Sequence, residues 1–346
     1  MAKTDKKNKK SNKKGLRVFL TIVLVLLIIL LIFFGTATFY IYNKLSKVNY
    51  VKLENIEMND GVVEQLKGYR NIVLFGVDAR SNTYDNTRSD CIIIASINQD
   101  TNQVKLTSVY RDTYVYIDGH GYDKVTHAYA YGGPQLAINT LNKNFDLNIS
   151  EFVAVNFDAV VEIVDAIGGV DINIEPAELN YINEYIQGVD NQMGRHTARV
   201  TKSGTQRLNG VQALAYSRIR YTAGGDYRRT ERMRDVLNLV FEKAKKQNVG
   251  QLNKLADMLL PKVYTNITTS EIIGTIPSIS KYNVVASTGW PYEVKGITLD
   301  RWYGVPVTLE SNVKKLHQEL FGKNDYEVSS KVKEYSDGII KKTGYK

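Results

Sequence analysis

The sequence predicts an α/β (mixed α+β) domain, built on a central mixed β-sheet flanked by helices and preceded by one N-terminal transmembrane helix. Short apolar runs typical of buried strands alternate with helical patterns over most of the chain. An uncharged apolar stretch occupies residues 18–42. With 43% hydrophobic residues in a chain of 346, the composition provides enough apolar side chains for a large core.

The N-terminal segment predicts a membrane anchor. Residues 1–17 form a basic tail with seven lysines, which carries most of the formal net charge of +9. The uncharged run at 18–42 is long enough to cross a bilayer as a helix, and it is longer than the apolar region of a cleaved signal peptide. Because lysines mark the cytoplasmic side, the remaining chain is expected outside the cytoplasm. That remainder carries only about +2, which does not favour nucleic acid as a partner.

Three predicted strands follow residues 43–68, which are interpreted as a juxtamembrane stalk or short helices. The strands have the sequences NIVLFGVD, CIIIASI and VKLTSVY. Charged residues lie at their ends, namely Asp78, Arg80, Arg88, Asp90, Arg111 and Asp112. Each charge alone would more often be a solvated loop residue, but ligands collect at strand ends in sheets covered by helices. The repetition therefore predicts a site, whereas the single cysteine, Cys91, is expected to be a small buried hydrophobe.

The rest of the chain is predicted to continue this alternation. A hairpin at 118–121 precedes a tyrosine-rich turn that carries Lys124, and residues 183–201 are polar and patternless, which predicts a mobile loop. Further helices are predicted at 135–144, 157–167, 209–220 and 309–321, with two more between 250 and 283, and strands at 151–157, 170–174, 283–287 and 304–307. The extracytoplasmic domain is placed at 69–325, and residues 326–346 are interpreted as a polar C-terminal tail.

An arginine-rich strip, SRIRYTAGGDYRRTERMR at residues 217–234, is the most unusual stretch of the chain. Apolar residues recur at helical spacing after its glycines, so a helix is expected to begin near Asp226. Arginines in the first turn of a helix are electrostatically disfavoured unless an anion offsets them. Forked arginine donors and free backbone N–H groups suit phosphate or diphosphate. A solvated basic face with pairing along the helix is the alternative, and composition alone leaves both open.

The chemistry present is that of arginines and a few aspartates. The sequence contains no nucleophile elbow, no zinc-protease motif, no paired cysteines and no Walker lysine loop. Hard carboxylate oxygens such as those of Asp78 and Asp90 suit Mg²⁺ or Mn²⁺ held jointly with phosphate oxygens. Arginines beside such acids point to phosphoryl transfer, in which positioning and charge stabilisation supply most of the catalysis.

Six ordered segments resemble the LytR-CpsA-Psr family of Gram-positive cell-wall enzymes. They are NIVLFGVDAR, TRSDCIIIASI, KLTSVYRDTYV, KVTHAYAYGGP, AIGGVDINI and LAYSRIRYTAGGDYRRTERMR. The resemblance implies a membrane-anchored phosphotransferase that moves a glycopolymer, such as wall teichoic acid or capsule, from undecaprenyl pyrophosphate to peptidoglycan through a phosphodiester. It also implies an apolar tunnel for the prenyl chain under the sheet, whose lining the sequence does not identify.

The resemblance also implies a role for each matching residue. Asp78 and Asp90 correspond to the Mg²⁺ ligands. The implied catalytic arginines are Arg111, Arg218, Arg220 and Arg229, and the implied diphosphate ligands are Arg80, Arg88, Lys124 and Arg232. Asp112 and Asp226 are left as either the base or residues that orient an arginine. Met233 stands where many members have glutamine, which bears on how the acceptor is positioned.

Two other functions are alternatives to glycopolymer transfer. A non-catalytic wall module that binds prenyl diphosphate or anionic polymer would need the arginines but not the acids. A transcriptional attenuator would need the basic tail to contact DNA, and that tail lies against the membrane and lacks a helix-turn-helix pattern. Its lysines are better explained by topology and anionic lipid. The sequence does not identify the glycopolymer or the oligomeric state.

Overall fold

The computed structural model describes residues 48–78, 84 and 87–346. The predicted basic tail, the predicted transmembrane helix at 18–42 and Arg80 lie outside these residues. Within the described part of the chain, no helix is long and apolar enough to cross a membrane.

A seven-stranded mixed sheet forms the centre of the domain, in the order β1-β10-β7-β2-β3-β4-β11. Strand β2 pairs antiparallel with β3 and parallel with β7, and β4 pairs antiparallel with β3 and parallel with β11. The predicted central mixed sheet is therefore confirmed. The strands are β1 (Asn49–Tyr50), β2 (Tyr69–Val77), β3 (Ser89–Asn98), β4 (Gln103–Val109), β7 (Glu151–Asn156), β10 (Val263–Thr265) and β11 (Asn283–Trp290).

Three two-stranded sheets and ten helices complete the described fold. The small sheets pair β5 (Tyr114–Ile117) with β6 (Gly121–Lys124), β8 (Val170–Ile174) with β9 (Gly204–Leu208), and β12 (Val294–Thr298) with β13 (Trp302–Pro306). The helices are α1 (Val62–Gln65), α2 (Val125–Phe145), α3 (Phe157–Ala166), α4 (Pro176–Met193), α5 (Gly210–Arg218), α6 (Gly225–Lys245), α7 (Val249–Leu259), α8 (Thr269–Thr275), α9 (Leu309–Phe321) and α10 (Ser330–Thr343). Short 3₁₀ turns occupy Leu260–Lys262 and Ile276–Lys281.

Side-chain alternation along the strands gives the sheet two covered faces. Val73 and Phe75 of β2 belong to the large core that contains α2, α9 and α10, whereas Leu74 packs on the opposite face with Ile93 and Leu237 of α6. This is the period-two pattern of a strand that is buried on both sides. A further core joins α3, α4, α5 and α6 to the β8–β9 strand pair.

Helix α4 corrects the first part of the predicted mobile loop at 183–201, because it extends to Met193, whereas residues 194–201 form neither helix nor strand. Pro176 occupies the first turn, and Glu175 and Glu178 form a reciprocal capping box at the N-terminus of the helix. Ile182, Ile186 and Val189 are buried on one face at spacings of four and three residues. The high polar content of the exposed face concealed this stripe.

Two predicted domain boundaries are also wrong. Residues 326–346 are not a tail, because Tyr335 and Ile339 of α10 are buried in the large core. The described part of the predicted stalk belongs to the same unit, since β1 joins the sheet and Leu66 is fully buried. The predicted turn around Lys124 is the start of α2, which begins at Val125 and has non-helical backbone angles at Gly132 and Gly133.

Candidate active site

The site lies at one end of the central sheet, where β2 ends, β3 begins and β4 ends. The antiparallel register pairs Val77 with Ser89 and Ile93 with Ser108. This register brings Asp78, Asp90 and Arg111 to the same edge of the sheet. The strand ends that carry these three charges therefore lie side by side.

Arg111 is the centre of the polar network. Its Nη1 donates a hydrogen bond of 2.8 Å to Oδ1 of Asp90. Its Nε lies 3.5 Å from a carboxylate oxygen of Asp112 and 3.6 Å from one of Asp226. Burial lowers the pKa of Arg111, but Asp226, Asp90 and Asp112 together raise it, and the net direction is upward. The guanidinium is therefore held permanently charged between three carboxylates.

Helix α6 adds a second arginine to this network. Gly224 precedes the helix with a φ of 87°, a left-handed conformation that suits glycine, and Asp226 lies in the first turn. Arg229 donates from Nη2 to Asp226 at 3.0 Å and is 6% exposed. Burial lowers the pKa of Arg229, and the nearby Arg111 lowers it further against the opposing effect of Asp226. An anion at this point would relieve the repulsion between the two guanidiniums.

Arg218 and Arg220 extend from the end of α5 without a carboxylate partner among the described residues. The Arg218 guanidinium lies 4.9 Å from the centre of the Phe157 ring. Arg220 lies over the Tyr221 ring and donates to the Tyr221 hydroxyl at 2.8 Å. Stacking on an aromatic ring holds each guanidinium in place while leaving donors free.

A cavity of about 430 Å³ opens beside these groups. Four of its lining residues are arginines and two are acids, so its lining is cationic. The lining comprises Asp90, Arg111, Phe157, Glu184, Tyr185, Gly188, Gln192, Arg218, Arg220, Tyr221, Arg229 and Met233. The Nε atom of Arg229 is buried without a hydrogen-bond acceptor among the described residues. Such orphaned donors are costly unless a ligand satisfies them, and this favours binding of a phosphate oxygen.

A second cavity, of about 300 Å³ and almost entirely apolar, adjoins the first. It lies between one face of the sheet and helices α3, α5 and α6, and Phe157 and Met233 line both cavities. Cys91 lines it as well, and burial among apolar side chains raises the pKa of its thiol to about 12. Cys91 is thus a partly buried residue of the apolar cavity wall, whereas the sequence predicted full burial. The two cavities together offer a cationic chamber beside an apolar one.

Several predicted residues lie outside the cationic cavity. Lys124 binds Asp112 through Nζ at 2.6 Å and does not line it. Asp78 and Arg88 are exposed, and neither forms an ion pair with a described residue. Met233 lines both cavities and lies where they meet.

Arg232 corrects its predicted role as a diphosphate ligand. Its side chain is fully buried, and Nε donates to Glu178 at 2.7 Å. The other two nitrogens donate to the Ile219 carbonyl and the Thr222 hydroxyl. Every nitrogen of the guanidinium is engaged and the side chain is fully buried, so Arg232 fixes the loop between α5 and α6 and is not accessible to a ligand.

The structure adds site residues that the sequence reasoning missed. Glu184, Tyr185 and Gln192 line the cationic cavity from α4. They were overlooked because that segment was interpreted as a loop. The Glu175 and Glu178 pair around Pro176 is the sequence signal that could have located this helix.

The described residues contain no group of three or more histidine, cysteine or acidic side chains placed to hold a metal ion. A Mg²⁺ ion that rests mainly on substrate phosphates needs only one or two carboxylates. Asp90, and Asp78 at the same sheet edge, therefore still fit such an ion.

Comparison with known proteins gives one consistent result. The LytR_cpsA_psr family profile matches residues 32–320. The chain is 31% identical to the polyisoprenyl-teichoic acid–peptidoglycan teichoic acid transferase TagT of Bacillus subtilis, over 76% of this chain and 82% of that protein. It is 32% identical to TagU of Bacillus cereus, over 67% of this chain and 75% of that protein. A solved structure of TagT bound to LIIa-WTA superposes with a TM-score of 0.62 at 25% identity, covering 80% of this chain and all of that chain.

Proposed function

The chain belongs to the LytR_cpsA_psr family, and we propose that it is a phosphotransferase that moves a glycopolymer from a polyprenyl diphosphate carrier to peptidoglycan. The donor class is a glycan linked through a diphosphate to a long isoprenoid, such as undecaprenol. The acceptor is a hydroxyl group of the peptidoglycan glycan. The product is a phosphodiester between the two polymers.

The observation that supports this proposal best is the joining of the two cavities at Phe157 and Met233. A lipid diphosphate has an anionic head bonded directly to an apolar isoprenoid. The protein provides a separate cavity for each part, the cationic one for the head and the apolar one for the isoprenoid. Arginines suit the head because guanidiniums bind phosphate oxygens bidentately. The apolar compartment, lined by residues such as Leu74, Val155 and Val236, suits the isoprenoid because it removes hydrocarbon from water.

In the proposed reaction the acceptor hydroxyl oxygen bonds to the sugar-linked phosphorus. The bond from that phosphorus to the oxygen bridging the two phosphates breaks, and its electron pair leaves with the prenyl phosphate. The hydroxyl proton passes to a carboxylate, for which Asp112 and Asp226 are the candidates beside Arg111. Arg111, Arg218, Arg220 and Arg229 stabilise the negative charge that moves toward the leaving phosphate.

Asp90 and Asp78 are the proposed contacts for a divalent ion, Mg²⁺ or Mn²⁺. When bound, such an ion neutralises phosphate charge and fixes the orientation of the diphosphate. Asp90 already orients Arg111 through its hydrogen bond. The carboxylate therefore serves the arginine network whether or not an ion is bound.

The proposed setting is the outer face of the cell membrane of a Gram-positive bacterium. The uncharged run at 18–42 is the anchor, and the basic residues before it stay in the cytoplasm. A membrane anchor keeps the domain beside a substrate whose isoprenoid tail remains in the bilayer.

Turnover by the full-length chain in detergent micelles tests this function. The chain is incubated with a prenyl diphosphate-linked glycan, a soluble peptidoglycan oligosaccharide and Mg²⁺, and the formation of the phosphodiester product and of prenyl phosphate is followed. Wild type is expected to form both in equal amounts. Binding of the donor without any turnover would identify a non-catalytic binding module and overturn the proposal.

A further inference from the structure

The hairpin of β12 and β13 carries one of the two tryptophans of the chain in an unusual setting. Gly296 and Gly304 are directly opposite each other in the antiparallel register. A Cβ atom at Gly296 would lie 2.9 Å from Nε1 of Trp302, and one at Gly304 would lie 3.6 Å from its Cη2. The indole ring therefore lies across both glycines, in the space that two side chains would otherwise occupy.

The other face of this ring is open to solvent. Trp302 is 44% exposed, whereas the second tryptophan, Trp290, is fully buried. Exposed tryptophans are uncommon on a soluble surface and are enriched where a partner binds. An indole held flat by the backbone beneath it is a rigid platform whose free face suits the apolar face of a sugar ring.

The platform lies next to the proposed reaction centre. Trp302 lines a small notch together with Asp112, Asp226, Tyr227 and Gly304. The Gly304 amide donates to the Asp112 carbonyl at 2.9 Å, which ties the hairpin to the end of β4. Asp112 and Asp226 also lie within 3.6 Å of Arg111, which lines the cationic cavity. These two carboxylates thus separate the notch from the arginines.

The size of the notch indicates what can enter it. Its volume of about 10 Å³ is too small for a sugar ring. It is close to the volume of a single water-sized group. A ring stacked on Trp302 would therefore remain outside the notch, on the open face of the indole.

From this arrangement we propose that Trp302 is the stacking platform for the acceptor saccharide. The proposal rests on the transferase function proposed above and adds to it the place where the acceptor binds. Asp300 and Arg301, which lie at the turn just before Trp302 and are mostly exposed, offer polar groups for the hydroxyl and amide substituents of the sugar.

Measuring the KM for the acceptor and the KM for the donor separately tests whether Trp302 is the stacking platform. In Trp302→Leu, the KM for a soluble peptidoglycan oligosaccharide is expected to rise about tenfold, the scale of losing one aromatic anchor. The KM for the prenyl diphosphate-linked donor is expected to stay unchanged. Trp302→Phe keeps a ring and should lose less. Val285→Ala is the matched control, because Val285 has the same exposed fraction but lies near the opposite end of the sheet.

A second variant moves the indole of Trp302 without removing it from the hairpin. Gly296→Ala leaves Trp302 in the chain but places a methyl group where the indole now lies. It is expected to raise the acceptor KM as well, with the donor KM unchanged. If both Gly296→Ala and Trp302→Leu left the acceptor KM at the wild-type value, the platform assignment would be wrong.

Tryptophan fluorescence provides a readout that does not depend on turnover. Since Trp290 is buried, an emission change on adding the oligosaccharide to wild type reports on Trp302, and it is expected to vanish in Trp302→Phe. An emission response without transfer would overturn the proposed function and leave the platform standing. Transfer to the oligosaccharide without any emission response would overturn the platform alone, and neither response nor transfer would overturn both.

Discussion

Arg229 and Arg232 are three residues apart on the same helix, and both are buried, yet they have opposite relations to the cationic cavity. Arg229 keeps a buried Nε without an acceptor among the described residues and lines the cavity. Arg232 has all three nitrogens engaged by Glu178, Ile219 and Thr222. Burial alone therefore does not distinguish a ligand-binding arginine from a structural one. An unsatisfied donor together with a place on the cavity wall does, because a ligand in the cavity could then satisfy that donor.

The largest expected effect concerns the structural arginine. Arg232→Met removes the partner of the fully buried Glu178, and breaking a buried pair in this way costs about 3–5 kcal/mol of the free energy of unfolding. Urea denaturation followed by circular dichroism measures the change. Arg228→Met is the control, since the Arg228 pairs with Glu175 and Glu231 are partly exposed and should contribute less than about 1 kcal/mol. Equal losses in both variants would contradict the structural role of Arg232.

The next effect concerns the cavity-facing arginines. Arg218→Gln is expected to lower the rate of glycopolymer transfer by about 10²–10³-fold, because a positioned donor to the developing charge is lost. The free energy of unfolding should change by less than about 0.5 kcal/mol. Arg207→Gln, at an exposed pair with Asp171, is the control and should leave transfer unchanged. A rate for Arg218→Gln within twofold of wild type would place Arg218 outside the reaction.

His317 is another buried structural residue, and its pKa predicts how the free energy of unfolding depends on pH. Burial lowers its pKa to about 4, its Nε2 contacts the Phe145 carbonyl at 3.0 Å, and its Nδ1 has no acceptor among the described residues. The unfolded chain, with a pKa near 6.5, binds the proton more readily than the folded one. Stability is thus full above pH 6.5 and falls by about 3 kcal/mol as the pH drops to 4. Denaturation midpoints across this window should show that slope, and His317→Gln should flatten it relative to wild type.

The smallest expected effect is at the junction of the cavities. Met233→Gln places an amide where the apolar chamber meets the cationic one. Because that amide loses water without a fixed partner, affinity for a prenyl diphosphate is expected to fall by less than about tenfold. Titration calorimetry with wild type and the variant measures the difference. A gain in affinity would instead assign Met233 to the head-group side.

Local pattern was sufficient to predict much of the fold. The apolar runs at β2, β3 and β4 are continuous because the sheet is covered on both faces, and the helix predicted at 309–321 coincides with α9. The first part of the segment at 183–201 was mispredicted because α4 buries only a narrow stripe. The C-terminal helix α10 was missed because its apolar residues become meaningful only once the partner α2 is in place.

The sequence predicted which types of residue form the site better than it predicted the role of each residue. Arg111, Arg218, Arg220 and Arg229 lie together, as their placement at element ends suggested. The role of Arg232 depends on Glu178, which is 54 residues away in sequence, so no local pattern reveals the pair. The platform at Trp302 depends equally on two glycines facing each other across a hairpin.

Arg229 is assigned to ligand binding, whereas Arg232 is assigned to the structure of the domain. The most direct test compares the affinity of the full-length chain for geranylgeranyl diphosphate with its affinity for geranylgeranyl monophosphate. If the cavity-facing arginines bind a diphosphate, wild type should prefer the diphosphate by at least about tenfold, and Arg229→Gln should lose most of that preference. The folded fraction of Arg232→Met should keep the preference of wild type. Equal affinity of wild type for the two lipids, or a preference that survives in Arg229→Gln and disappears in folded Arg232→Met, would contradict the account.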